Sequence, residues 1–143
     1  MFVNREILVT QGPQGPEAQA VFDLSSTQIS AFAAALAHYR RTRFGVEALG
    51  AREVLELRAL STLAEQIDAL AAAGGHAVVR TGADSVSALA QAAIVYVDER
   101  DTESYQSPEE RERLAALREL PEPLIELACE LRRAEQRDSP AFA

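Results

Sequence analysis

The chain predicts an α+β fold, predominantly helical, with a small three-stranded, mainly antiparallel sheet and helices packed on one of its faces. Three observations carry that expectation. Two β-type segments flank a Gly/Pro-rich turn near the N-terminus, a third short β-branched run lies between two long helical patterns, and the rest of the chain spaces its apolar residues as helices do. The expected order is β-β-α-α-β-α-α-α.

The first strand centres on Ile7-Leu8-Val9 within Arg5 to Thr10. Gln11-Gly12-Pro13-Gln14-Gly15-Pro16 then reads as a wide turn, and Ala18 to Leu24 puts Ala20, Phe22 and Leu24 on one face of a second strand. Ser25 caps the next segment with Gln28 as its capping-box partner, and Ile29, Phe32, Ala33 and Leu36 continue at helical spacing to about Arg43, with Gly45 as the residue just past the end. From Val46 to Ala73 a broad stripe of Leu57, Leu60, Ala64, Ile67 and Ala71, widened by Leu55, Leu63 and Leu70, predicts a helix covered on more than one side, with Gly50 a break near its start.

Gly74-Gly75 ends that helix and His76 to Thr81 is the third strand. Asp84 is expected to cap a helix bearing Val86, Leu89, Ala93, Tyr96 and Val97, followed by a polar loop or frayed end from Asp98 to Gln106. Ser107-Pro108-Glu109-Glu110 is the clearest local start signal, combining an N-cap serine, a proline at the first helical position and a glutamate three residues after the cap. Leu114, Leu117, Leu120, Leu124, Leu127 and Leu131 then recur at spacings of 3, 3, 4, 3 and 4, close to a heptad seam. Pro121 and Pro123 interrupt it and predict two helices meeting at an angle. Residues 1–137 read as one globular domain and 138–143 as a loose tail.

At 143 residues the chain has the size of a single domain, able to bury roughly two thirds of its unfolded surface. Its 48% hydrophobic and 25% charged content is that of a globular protein and excludes a disordered or disulfide-scaffold class. The longest apolar stretch, Ala88 to Val97, contains Gln91 and falls short of the roughly 20 residues of a membrane span. No basic segment followed by an apolar one opens the sequence, so a cytoplasmic location is the expectation. Every one of the 14 basic residues is arginine, a usage that fits a GC-rich bacterial coding sequence.

The net charge of -8 is uneven: from Asp98 onward there are 13 acids against 7 arginines, and before it 9 against 7. Nucleic-acid binding depends on neutralising phosphates, so this balance argues against nucleic acid as the partner. No cofactor is implied. Two histidines, His38 and His76, and a single cysteine do not make a tetrahedral zinc set, and Asp98, Glu99, Asp101 and Glu103 lack the alternation and central glycine of a calcium loop. Cys129 falls in a leucine-rich helical pattern, where a free thiol behaves as a small hydrophobe.

Three constellations remain as candidate contact sites. Arg100 and Tyr105 bring an arginine and an amphipathic ring into a polar segment, the residue types favoured at interface centres. Glu122, Glu126 and Glu130 stack like charges at spacings of four, which costs an isolated helix a few tenths of a kcal/mol per pair and invites a compensating cation from elsewhere, Arg40 or Arg43 in the same chain or across a dimer. Arg40, Arg41 and Arg43 form the basic patch; their simplest role is to complement a helix C-terminus, worth about 0.3–1 kcal/mol, and their sharper one is to hold an anion or partner.

No nucleophile elbow, zinc-protease helix or phosphate loop is present in the sequence. The expected function is therefore a non-enzymatic interaction or regulatory domain, self-associating through its leucine-rich helices and acidic C-terminal third. The alternative is a small enzyme or ligand-binding domain with a pocket between sheet and helices, using His38, Arg43 or Tyr105.

Overall fold

The computed structural model describes residues 5–13, 15–44, 50–75, 77–100 and 106–137. The elements run β1 (Arg5–Gly12), β2 (Gly15–Leu24), α1 (Ser26–Phe44), α2 (Ala51–Ala73), β3 (Ala77–Gly82), α3 (Ala83–Arg100), α4 (Pro108–Glu119) and α5 (Pro121–Arg137). This is the predicted order, and the sheet is antiparallel throughout, with β2 between β1 and β3.

The hairpin is tighter than its glycines and prolines suggest. Strand pairing continues to Gly12↔Gly15, leaving two residues between the strands, and Gly15 takes a positive φ of 114°. Pro16 was read as part of the turn yet lies in β2, opposite Gln11. β3 pairs with β2 only from Gln19 onward, so Pro16 has one neighbouring strand and its missing N–H breaks no second ladder.

Alternation along β2 places Ala18, Ala20, Phe22 and Leu24 on one face, all buried, and Val79 and Thr81 of β3 join them in register. α5 lies over β2 and reaches β1. α3 packs lengthwise against α5 and also meets α1, and α1 in turn carries α2 and α4. The buried side chains form one cluster running from the sheet through α3 and α5 to Ile29, Phe32 and Leu36 of α1 and Leu60, Leu63 and Ile67 of α2.

Both local start signals form as expected. Ser25 N–H donates to Gln28 Oε1 at 2.8 Å while Gln28 N–H donates to Ser25 Oγ at 3.2 Å. Glu110 N–H donates to Ser107 Oγ at 3.1 Å with Pro108 in the first turn. At the end of α2, Gly74 adopts φ 75° and its N–H reaches the carbonyls of Leu70 and Ala71. α3 departs from expectation at its start. The helix begins at Ala83 directly after β3, so Asp84 sits in its first turn instead of capping it; at the other end Asp98, Glu99 and Arg100 form the last turn of the helix, the second of the two readings, loop or helix end, that the polar composition allows.

The leucine seam is spent inside the molecule. Leu114, Leu117, Leu120, Leu124, Leu127 and Leu131 are all at most 1% exposed, and Leu120 is the junction at which α4 gives way to α5. Pro121 and Pro123 fall in the first turn of α5, where no intrahelical N–H is needed. His76, residues 101–105 including Tyr105, the side chain of Arg43 and the tail 138–143 lie outside the described residues.

Candidate functional site

The densest polar constellation joins α1, α3 and α4. Tyr96 projects from α3 into the core and is only 4% exposed, on the side of the helix where Ala92 and Ala93 are also buried and where α1 and α4 pack. Its hydroxyl donates to Glu110 Oε1 of α4 at 2.7 Å. His38 of α1 meets the Tyr96 ring edge-on with centroids 5.6 Å apart, and its Nε2 pairs with Glu99 Oε2, one turn along α3 from Tyr96. Arg100 Cζ lies 5.5 Å from the Tyr96 ring centroid, within cation–π range, and Arg113 approaches Glu110 at 3.6 Å.

These contacts run across three helices, with Glu99 against His38 and Glu110 between Tyr96 and Arg113. Burial pushes the Tyr96 hydroxyl up to about 12, reinforced by its hydrogen bond to the Glu110 carboxylate and by that group's negative charge, with Arg100 and Arg113 pulling the other way. A phenol this weakly acidic, already donating to a carboxylate, is a poor proton donor near neutral pH. The arrangement therefore works as a clasp between helices. In the sequence Arg100 stands out by its residue type, whereas Tyr96 reads only as a core residue and Glu99 as part of an acidic loop or solvated helix end. No local signal links residues 38, 96 and 110.

Of the remaining candidates, Glu130 pairs with Arg5 at the start of β1, so a cation facing the glutamate stripe comes from the N-terminal strand. Glu122 and Glu126 are exposed and have no ion pair among the described residues. Arg41 is exposed at the C-terminal end of α1. Arg40 is partly buried, and its Nε has no hydrogen-bond partner among the described residues.

Among the described residues two open clefts stand out. One, of about 280 Å³, lies between the sheet and helices where Glu17, Gln19 and Gly82 face Asp84, Arg132 and Glu135; Arg132 there donates to Ser87 Oγ at 3.1 Å. The other, of about 200 Å³, separates Ser26, Thr27 and Ser30 from Glu109, Glu112 and Arg113. Both are small and lined mostly by polar groups, unlike the larger and mainly apolar sites that enclose small molecules. Among the described residues no group of three His, Cys, Asp or Glu side chains is placed to hold a metal ion, and no helix is long and apolar enough to cross a membrane. No protein-family profile, characterised protein or solved structure matches the chain.

Among the described residues the exposed large apolar side chains are few and unevenly placed. Leu8 and Val9 of β1 are 38% and 36% exposed, on opposite faces of the strand, and Val78 of β3 is 57% exposed on the face away from the helices. Ile94 of α3 and Ile125 of α5 are the others. Cys129 is also exposed, on the outer side of α5.

Proposed function

We propose that this chain is a non-enzymatic protein-interaction or regulatory domain that works as a homo-oligomer, with the acidic C-terminal third contributing to the contact. The observation that carries this reading is the contrast between a filled interior and a surface that keeps large aliphatic side chains beside charges with no ion pair among the described residues. Ile125 stands out from α5 flanked by Glu122 and Glu126, while the leucines of the same helix face the core. Apolar side chains rimmed by charge are the ordinary composition of a contact patch. Because the heptad leucines are buried, the contact falls to the outer face of α5 and the exposed strand beside it.

Sedimentation equilibrium of the purified chain tests the reading. The expected mass is a multiple of 15.5 kDa. A chain that stays monomeric across micromolar concentrations would remove its basis.

A second reading, a ligand-binding domain, draws on the cleft between sheet and helices. Its acids Glu17, Asp84 and Glu135 around a single Arg132 favour a small cationic ligand, and calorimetric titration with a polyamine would register heat if that reading holds.

A further inference from the structure

We propose that β1 is the self-association element, pairing antiparallel with β1 of a second copy about a two-fold axis at Leu8 and joining two three-stranded sheets into one of six strands. This rests on the self-association reading above and names the surface that performs it.

The two edges of the sheet are differently protected. Edge strands expose a row of unpaired N–H and C=O groups, and proteins normally blunt them with charge, proline, bulges or shortness. β3 is six residues long, sets exposed Arg80 in its middle and runs straight into α3. β1 is eight residues long, pairs with β2 in unbroken register from Arg5↔Phe22 to Gly12↔Gly15, and contains neither proline nor bulge. Among the described residues its other edge has no strand beside it. Its centre, Ile7-Leu8-Val9, is the least covered apolar run of the described residues, since α5 reaches only one flank of the strand.

The strand is also matched to itself. With the axis at Leu8, Ile7 faces the partner's Val9, Glu6 faces the partner's Thr10 and Arg5 faces the partner's Gln11. No two like charges are opposed, and aliphatic residues pair on both faces. Residues paired directly across antiparallel strands share a face, so this register puts the helical layers of both copies on the same side and brings their α5 helices toward each other.

Charge on α5 complements that approach. Arg5, at the start of β1, reaches Glu130. Glu17 and Ala18, which pair with Thr10 and Val9 near the other end of β1, share a cleft with Arg132 and Glu135. α5 therefore runs in the same sense as β1, and the level of Leu8 along the strand falls close to Leu131 and Arg132 of the helix. The two α5 helices then lie antiparallel, with Glu130 of one copy level with Arg133 of the other. Arg133 is exposed and has no ion pair among the described residues.

The test uses the full chain and the side chain on the axis. Leu8 is partly exposed, so Leu8→Lys and Leu8→Asp should retain the helical circular dichroism of the parent. Each places two like charges against one another across the axis and is expected to weaken dimerisation at least about tenfold. Mixing the two variants in equal amounts should restore the dimer mass, because lysine then faces aspartate. A parent dimer whose mass neither substitution changes overturns β1 pairing and leaves self-association standing. Variants that are monomeric alone and stay monomeric when mixed overturn the axis at Leu8. A monomeric parent overturns this proposal together with the reading on which it rests.

Discussion

β1 and the α4–α5 segment carry comparable aliphatic patterns and meet opposite fates. Six leucines spaced along α4 and α5 are sealed from water, whereas Ile7, Leu8 and Val9, adjacent in one strand, are half-buried or exposed. The difference lies in what surrounds each element. A helix with a 3- or 4-residue apolar period turns all its leucines to one side, where α1, α3 and the sheet close over them. A strand sends consecutive residues to opposite faces, and at the margin of a sheet neither face of β1 has a complete layer above it. Hydrophobicity alone thus says little about burial; periodicity and position decide it.

The comparison is broken most directly by truncating one leucine in each element. Leu127→Ala removes a fully enclosed side chain and is expected to cost about 2–5 kcal/mol of unfolding free energy, read from the urea midpoint. Leu8→Ala, measured dilute enough that the chain is monomeric, should cost about 1 kcal/mol or less, because that side chain already touches water. Equal costs would end the distinction.

The next effect concerns the clasp that fastens α4 to α3. In the unfolded chain the Tyr96 phenol ionises near 10, while the folded state holds it to about 12. Its stabilising contribution is therefore complete below pH 10 and is lost as pH rises from 10 to 12, by an amount on the order of 2 kcal/mol. Tyr96→Phe should remove that alkaline decline and cost about 1–2 kcal/mol at neutral pH through the lost bond to Glu110. Unfolding curves of parent and variant that fall in parallel above pH 10 would contradict this role for Tyr96.

Smaller still is the N-cap of α4. Ser107→Ala is expected to lower stability by about 1 kcal/mol, with Ser107→Gly costing only a few tenths, measured by thermal unfolding. Last comes the tether between β1 and α5: Arg5→Ala should change stability by less than about 1 kcal/mol, and raising salt should erase the difference. A larger loss would mean that β1 is more firmly held than its exposure indicates.

Features set by neighbours in sequence were legible from it, and features set by distant packing were not. The paired bonds of Ser25 with Gln28, the Ser107–Glu110 cap and the Gly74 terminus each involve residues within a turn of one another. Asp84 looks like a cap and would start α3 at Ser85, two residues late, while the chain passes from β3 into the helix at Ala83 without the intervening residues a cap would terminate. The leucine pattern was correctly helical, but a near-heptad seam and an amphipathic face buried in its own domain share the same spacing. His38, Tyr96 and Glu110 belong to three helices whose mutual placement no local pattern encodes. Arg100 stands out in the sequence for its residue type, and among the described residues it has an aromatic neighbour in its own helix, Tyr96.

The packing of α5 over β2 also sets an order of events during synthesis. The hairpin and β3 emerge long before α5, the helix that roofs Ala18, Ala20 and Phe22. Until residues of α5 have been made, the inner face of the sheet lacks its cover on a growing chain. Domains generally complete their folding as units, and incompletely covered sheets are where nascent chains aggregate. For this protein the last described helix is the closing step, and truncations within α5 should leave a polypeptide dependent on chaperones while those before the hairpin's partners are made leave one with no core to protect.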